Sequence, residues 1–164
     1  FTLQTRFENI RGEQGASFLE LCEQGNFHLE FGLQTTDHEV SRHIDRANRM
    51  DLVDAALEQL GARGIPFEVS LIYGLPGQTL DSFQRSIDHL QAKGCSDIKA
   101  WPLMLLPGTK LHDQKAQWGM EEEPLGEFRI PVVTASNAFT REEWERMELL
   151  ARTLVPSNRL EQVA

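Results

Sequence analysis

Strand-like and helix-like segments alternate along this chain, and that alternation limits the folds open to it. Four extended runs rich in apolar, β-branched or aromatic residues predict strands: 1–6, 27–33, 67–73 and 97–103. Amphipathic stretches between them predict helices: about 16–23, 38–44 with Asp37 as its cap, 50–63 and 79–92. Strands that alternate with helices pair in parallel through right-handed crossovers. The sequence therefore predicts an α/β fold built on a parallel sheet.

The number of strands limits how far this sheet can close. A closed eight-stranded barrel needs roughly 200 residues or more, and this chain has 164. The expected architecture is an open sheet or an arc of a barrel. After it, the acidic run 121–127 predicts a solvated linker, 128–134 an extended piece and 140–154 an amphipathic helix. We expect a division into a sheet region, 1–118, and a linker with a helical extension, 119–164.

Composition excludes several classes of protein. The net charge of −9 argues against non-specific nucleic-acid binding, which needs a basic face. No apolar run reaches the ~18 residues that span a bilayer, and no secretory start is visible. Cys22 and Cys95 cannot build a disulfide framework and are expected to be buried in a cytoplasmic, reducing compartment. A start at Phe1 rather than Met predicts a segment of a longer polypeptide.

Ligands of parallel sheets bind at the carboxyl ends of the strands, and polar residues collect there. Glu30 and Gln34 lie four apart on one strand and share a face, where they would bind ribose hydroxyls or form a polar layer inside a barrel. Arg42 and Arg46, four apart on a predicted helix, would face a carboxylate or form surface ion pairs.

Other common sites are not predicted. The GLPGQT turn at 74–79 lacks the lysine and spacing of a phosphate loop, and indicates a tight strand-to-helix turn with Thr79 as helix cap. No GxSxG motif supports serine hydrolysis. The histidines have no HxxxH spacing within one helix, so no metal site is predicted: His28, His38, His43, His89 and His112.

Three motifs in order carry a family resemblance. They are FGLQTTDHEV at 31–40, SLIYGLPGQTLDSF at 70–83 and LLPGTKL at 105–111. Over about 1–112 the chain resembles the second half of the partial (βα)6 TIM barrel of radical S-adenosylmethionine (SAM) enzymes. It looks closest to the branch of oxygen-independent coproporphyrinogen oxidases and cobalamin-binding radical SAM proteins. The four strands would be the family's third to sixth.

The resemblance implies contacts with SAM. Gln34 matches a glutamine that contacts the sugar or amino-acid part, and Arg46 an arginine on the next helix that pairs with the carboxylate. Ile72 matches an apolar residue beside adenine, and the backbone of Met104 would also meet adenine.

Two positions depart from the family pattern. Gln4 stands where a glutamate often holds the SAM amino group, and Ser70 where an aspartate can hold ribose hydroxyls. Both residues keep hydrogen-bonding capacity but lose charge.

The cluster-binding CxxxCxxC motif of the family is absent from this sequence. By itself the chain is therefore expected to bind no [4Fe–4S] cluster and to contain no catalytic residue. The resemblance implies a parent enzyme that uses SAM and the cluster to generate a 5′-deoxyadenosyl radical, with cobalamin as a candidate further cofactor and an unknown small-molecule substrate. Two alternatives stay open, a cluster-free module that binds an adenosyl ligand and an interaction scaffold. An exposed sheet edge, which both a scaffold and a truncated barrel would have, would allow a dimer.

Overall fold

The computed structural model describes residues 1–125 and 129–154. Its central feature is a parallel sheet whose strands lie in chain order, β1-β2-β3-β4. The strands are β1 Thr2–Thr5, β2 His28–Gln34, β3 Phe67–Tyr73 and β4 Ile98–Pro102. The predicted α/β fold with an arc of parallel strands is confirmed. Within the described residues β1 forms one edge of this sheet, and dimerisation through that edge stays a prediction.

Helices connect the strands, and side chains cap two of them as predicted. The α-helices of the described residues are α1 Gly12–Gly25, α2 His38–His43, α3 Met50–Arg63, α4 Leu80–Ala92, α5 Lys110–Asp113 and α6 Arg141–Thr153. Asp37 accepts hydrogen bonds from two backbone N–H groups of α2, and Thr79 forms a capping box with Ser82 at α4. A short 3-10 helix at Phe7–Ile10, which the sequence did not predict, follows β1. None of these helices is long and apolar enough to cross a lipid bilayer.

The two faces of the sheet differ in polarity. Alternate side chains of β2 are fully buried against the helices: Leu29, Phe31 and Leu33. The intervening positions are half-buried: His28, Glu30, Gly32 and Gln34. Because register partners share a face, the face of Glu30, here called the polar face, continues through Glu68 and Ser70 on β3 and Lys99 on β4.

The acidic segment after α5 is not the linker that the sequence predicted. Residues Glu121–Leu125 form a strand, β5, which pairs antiparallel with β6, Ile130–Ala135. The hairpin joins the end of the sheet through Leu105 N–H to Pro131 O and Val133 N–H to Leu103 O, both at 3.0 Å. The linker prediction was wrong over 121–125 because backbone pairing with β6 outweighs the local preference of glutamates for solvated coil. Its remaining residues, 126–127, lie outside the described residues.

The helix α6 packs onto the same core. Trp144 and Met147 are buried, and the Trp144 ring lies 5.7 Å from that of Tyr73 on β3. Burial raises the pKa of Tyr73 to about 12, so its hydroxyl stays neutral at physiological pH. The division of the chain into a sheet region, 1–118, and an extension, 119–164, stays a prediction.

A glycine in α1 makes a close contact that predicts a large substitution effect. A Cβ at Gly15 would lie 2.2 Å from the carbonyl carbon of Ile10, an immovable backbone atom. We expect Gly15→Ala to lower the free energy of unfolding by about 1–3 kcal/mol, the usual cost of overpacking. Gly61→Ala on α3, where a Cβ meets nothing within 4 Å, should instead raise it by about 0.5–1 kcal/mol. Urea denaturation of both variants tests this, and equal effects would contradict it.

Candidate ligand site at the carboxyl edge of the sheet

A cavity of about 420 Å³ opens where β1 and β2 end. Its walls come from both strand ends, the 3-10 helix and the segment after α2: Gln4, Arg6, Asn9, Gly32, Gln34 and Arg46. Three of the sequence-predicted site residues, Gln4, Gln34 and Arg46, are thus brought together. The cavity lies at the carboxyl edge of the sheet, where ligands of parallel sheets bind.

Arg46 supplies a cation to this cavity. It lies beyond the end of α2, not on the helix as predicted, so it does not share a helix face with Arg42. The difference arises because α2 stops at His43 and Asp45 takes a left-handed conformation, with φ of 52°. One Arg46 nitrogen donates a 2.8 Å hydrogen bond to Gly32 O. Burial lowers the Arg46 pKa and nearby Arg6 lowers it further, but guanidinium stays charged in proteins.

Gln34 offers an acceptor that the described residues leave unmatched. The register of β2 shifts between Gly32 and Gln34, and Gln34 takes a positive φ of 68°. Its Oε1 is buried and has no hydrogen-bond partner among the described residues. A buried unpaired acceptor costs about 1–3 kcal/mol, so a ligand hydroxyl or ammonium would satisfy it.

Gly32 keeps the space between these side chains open. A Cβ there would come within 2.9 Å of Gln34 Nε2 and 3.6 Å of an Arg46 nitrogen. Any larger side chain would therefore displace the Gln34 amide from its place in the cavity.

The sequence analysis did not identify two residues that lie near the cavity. Asn48 donates to Leu33 O at 2.8 Å and to Thr35 O at 2.9 Å, which ties the loop carrying Arg46 to the end of β2. Arg6 directly follows β1 and lines the cavity. Its place after a strand was a usable signal for Arg6, whereas the contacts of Asn48 depend on the loop conformation.

The remaining predicted residues lie on the polar face or beyond it. Gln4 and Glu30 are register partners, and Ser70 and Ile72 continue the same face on β3. Met104 follows β4, forms a bridge with β6 and is 47% exposed. Their roles toward SAM stay predictions.

The turn at 74–79 is a self-contained strand-to-helix connection, as predicted. Gln78 is fully buried, and its Oε1 accepts from Gly74 N–H at 2.8 Å and Leu75 N–H at 3.2 Å. Its amide donates to Ile72 O at 3.1 Å. These two backbone N–H groups point at a side chain and not at a phosphate.

The two cysteines do not fit an iron–sulfur cluster. Both are buried free thiols. Burial raises the pKa of Cys95 to about 12 and raises that of Cys22. Cluster ligands are thiolates, so neither residue is suited to hold iron.

Comparison with known proteins supports the family resemblance. The model of the Radical SAM superfamily matches residues 13–90. Heme chaperone HemW of Bacillus subtilis is 31% identical over 96 residues, which cover 57% of this chain and 25% of HemW. The family match covers just under half of this chain and agrees with the likeness to HemW. The chain spans about a quarter of the HemW length.

Several solved structures share the fold of this chain. The coproporphyrinogen III oxidase HemN of Escherichia coli has a TM-score of 0.63 at 18% identity, covering 93% of this chain and 31% of HemN. Elp3 of Methanocaldococcus infernus has a TM-score of 0.66 at 17% identity, over 94% of this chain and 33% of Elp3. The radical SAM methyltransferase TsrM of Kitasatospora setae has a TM-score of 0.68 at 14% identity, over 96% of this chain and 36% of TsrM. The resemblance to the radical SAM family is confirmed, and the HemW match supports the HemN-like branch.

Proposed function

We propose that this radical SAM chain holds SAM at the carboxyl edge of its sheet, within an enzyme whose cluster ligands lie outside this sequence. The observation that carries the proposal is the cavity in which Arg46, Gly32 and the buried acceptor of Gln34 converge. The superfamily implies SAM and a [4Fe–4S] cluster. Bound together, they supply one-electron radical chemistry.

The residues of the cavity suit the amino-acid end of SAM. The Arg46 guanidinium has five N–H donors, so it can pair with a carboxylate while one nitrogen stays bonded to Gly32 O. Gln34 Oε1 can accept from the ammonium or a ribose hydroxyl. Gln4 faces the same cavity as a neutral amide. The positive charge of Arg46 therefore selects the SAM carboxylate, and the neutral amides of Gln34 and Gln4 orient the rest of the SAM molecule.

The polar face suits the nucleoside end. Glu30 and Ser70 are half-buried hydrogen-bonding groups that would bind ribose hydroxyls. Ile72 gives an apolar contact for adenine, and the backbone of Met104 would meet its edge. These side chains bind and orient, and none of them is assigned a step in bond breaking.

Substitution of Arg46 tests the proposal. In the natural polypeptide that contains this sequence, reconstituted with iron and sulfide, Arg46→Ala should weaken SAM binding about 10–100-fold, because a hydrogen bond to a charged group contributes about 1.5–3 kcal/mol. Arg46→Lys should recover part of the affinity, since lysine keeps the charge but not the fork of donors. Equilibrium dialysis with labelled SAM gives the affinities.

The matched control is Arg42→Ala on α2, an exposed arginine that does not line the cavity. It should bind SAM like the wild type, with equal iron content in all variants. Wild-type SAM affinity in Arg46→Ala, at normal iron content and melting temperature, would overturn the proposal.

Two further ligands follow from the relatives. The TsrM structure holds cobalamin, but at 12% identity this likeness concerns the fold alone, and no described residue is assigned to cobalamin. The HemW match favours heme as a second candidate ligand. Titration with hemin tests whether the chain binds heme as well as SAM, since heme binding changes the Soret absorption and SAM binding does not.

A further inference from the structure

A second group of polar side chains lies at the opposite end of the sheet from the ligand cavity. His28 is the first residue of β2, Glu68 the second of β3, and Asp97 immediately precedes β4. Because neighbouring parallel strands begin at the same edge, the three side chains meet there. One ligand atom from each lies within 4.8 Å of the others. We propose that His28, Glu68 and Asp97 form a binding site for a divalent transition-metal ion such as Zn²⁺.

The distances within this group match shared coordination better than hydrogen bonding. His28 Nε2 lies 3.4 Å from Glu68 Oε2 and 4.0 Å from Asp97 Oδ2. An N–H···O hydrogen bond spans about 2.7–3.2 Å. Two ligands bonded to one zinc ion at about 2.0–2.2 Å stand roughly 3–4 Å apart. His28 Nε2 is also buried without a hydrogen-bond partner among the described residues, so a metal would satisfy it.

The charge around the group attracts a cation. Glu68 is only 3% exposed, and Glu30 is its register partner on the same face. One imidazole and two carboxylates are a ligand set that zinc accepts, whereas calcium and magnesium prefer oxygen alone. This ligand set therefore favours an ion such as Zn²⁺ over Ca²⁺ or Mg²⁺.

The Lys99 ammonium competes with a metal ion for Glu68. Its Nζ lies 2.5 Å from Glu68 Oε2, the same oxygen that faces His28. A carboxylate has about four lone-pair positions, so other contacts of Glu68 and Asp97 leave room for coordination. A metal ion at the site would displace the Lys99 ammonium, and removal of this ammonium should strengthen metal binding.

Zinc titration of the metal-free chain tests the proposal. We expect one saturable Zn²⁺ site by calorimetry, and visible absorption bands when Co²⁺ replaces zinc. His28→Gln and Asp97→Asn should each weaken binding at least tenfold. Lys99→Met should tighten it several-fold. The control is His89→Asn, which removes a histidine whose Nε2 lies 2.7 Å from Asp54 in an ordinary hydrogen-bonded pair, and it should bind zinc like the wild type.

Three results would overturn the proposal. They are absence of saturable binding by a chain that circular dichroism shows to be folded, wild-type affinity in both His28→Gln and Asp97→Asn, and weaker binding by Lys99→Met. Each variant's circular dichroism is measured beside its affinity, so that loss of the fold is not taken for loss of a ligand. None of these readouts depends on SAM, so the outcome is independent of the proposed function.

Discussion

Replacing Trp144 with alanine is expected to lower the free energy of unfolding by about 3–5 kcal/mol, the usual cost of removing a buried tryptophan. The indole is 2% exposed and contacts the ring of Tyr73 in the sheet. Alanine would leave a cavity between α6 and β3, which the rigid sheet cannot fill. Urea denaturation followed by circular dichroism measures the loss.

The control for Trp144 lies on the same helix. Leu149 is 65% exposed, so Leu149→Ala should change the free energy of unfolding by less than about 0.5 kcal/mol. A loss below about 1 kcal/mol in Trp144→Ala would contradict the packing described for α6. The same curves test the division at 118/119, because two independent domains would unfold in two transitions.

Replacing Gln78 with leucine should destabilise the chain by about 3 kcal/mol or more, although leucine is similar in size and more apolar. The amide bonds to the backbone of Ile72, Gly74 and Leu75 inside the turn. Leucine would leave two N–H groups and one carbonyl oxygen without their partner. Each unmatched buried group costs about 1–3 kcal/mol.

A partly exposed glutamine on α4 serves as the comparison for Gln78. Gln84 donates one hydrogen bond to Asp88 at 2.8 Å, and Gln84→Leu should change the free energy of unfolding by less than about 0.5 kcal/mol. Thermal melts of both variants check the difference. Equal melting temperatures would show that the turn does not depend on the buried amide.

Local patterns in the sequence predicted much of the fold. The strand at Phe67–Tyr73 and the helix at Met50–Arg63 were predicted with their observed bounds, because β-branched runs and an apolar helical stripe are readable over short distances. Thr79 and Asp37 were predicted as helix caps for the same reason, since a cap bonds to backbone two or three residues away.

The ligand cavity was predictable only in part. Placing Gln34 and Arg46 near each other needed the family resemblance, because Arg46 reaches Gly32 through a loop that leaves α2 early. The positive φ of Gln34 and its unmatched Oε1 depend on a shift in strand register. No spacing in a sequence encodes such a shift.

The sequence by itself determined the order of the four sheet strands and the helices between them, two helix caps and the family resemblance, since each depends on neighbouring residues or on motifs of a few positions. Only the tertiary structure decided which distant side chains meet. His28, Glu68 and Asp97 lie on or beside three different strands, and the acidic residues of β5 became a strand by pairing with β6. Both depend on the register between strands, which backbone hydrogen bonds and packing between distant segments fix as the chain folds.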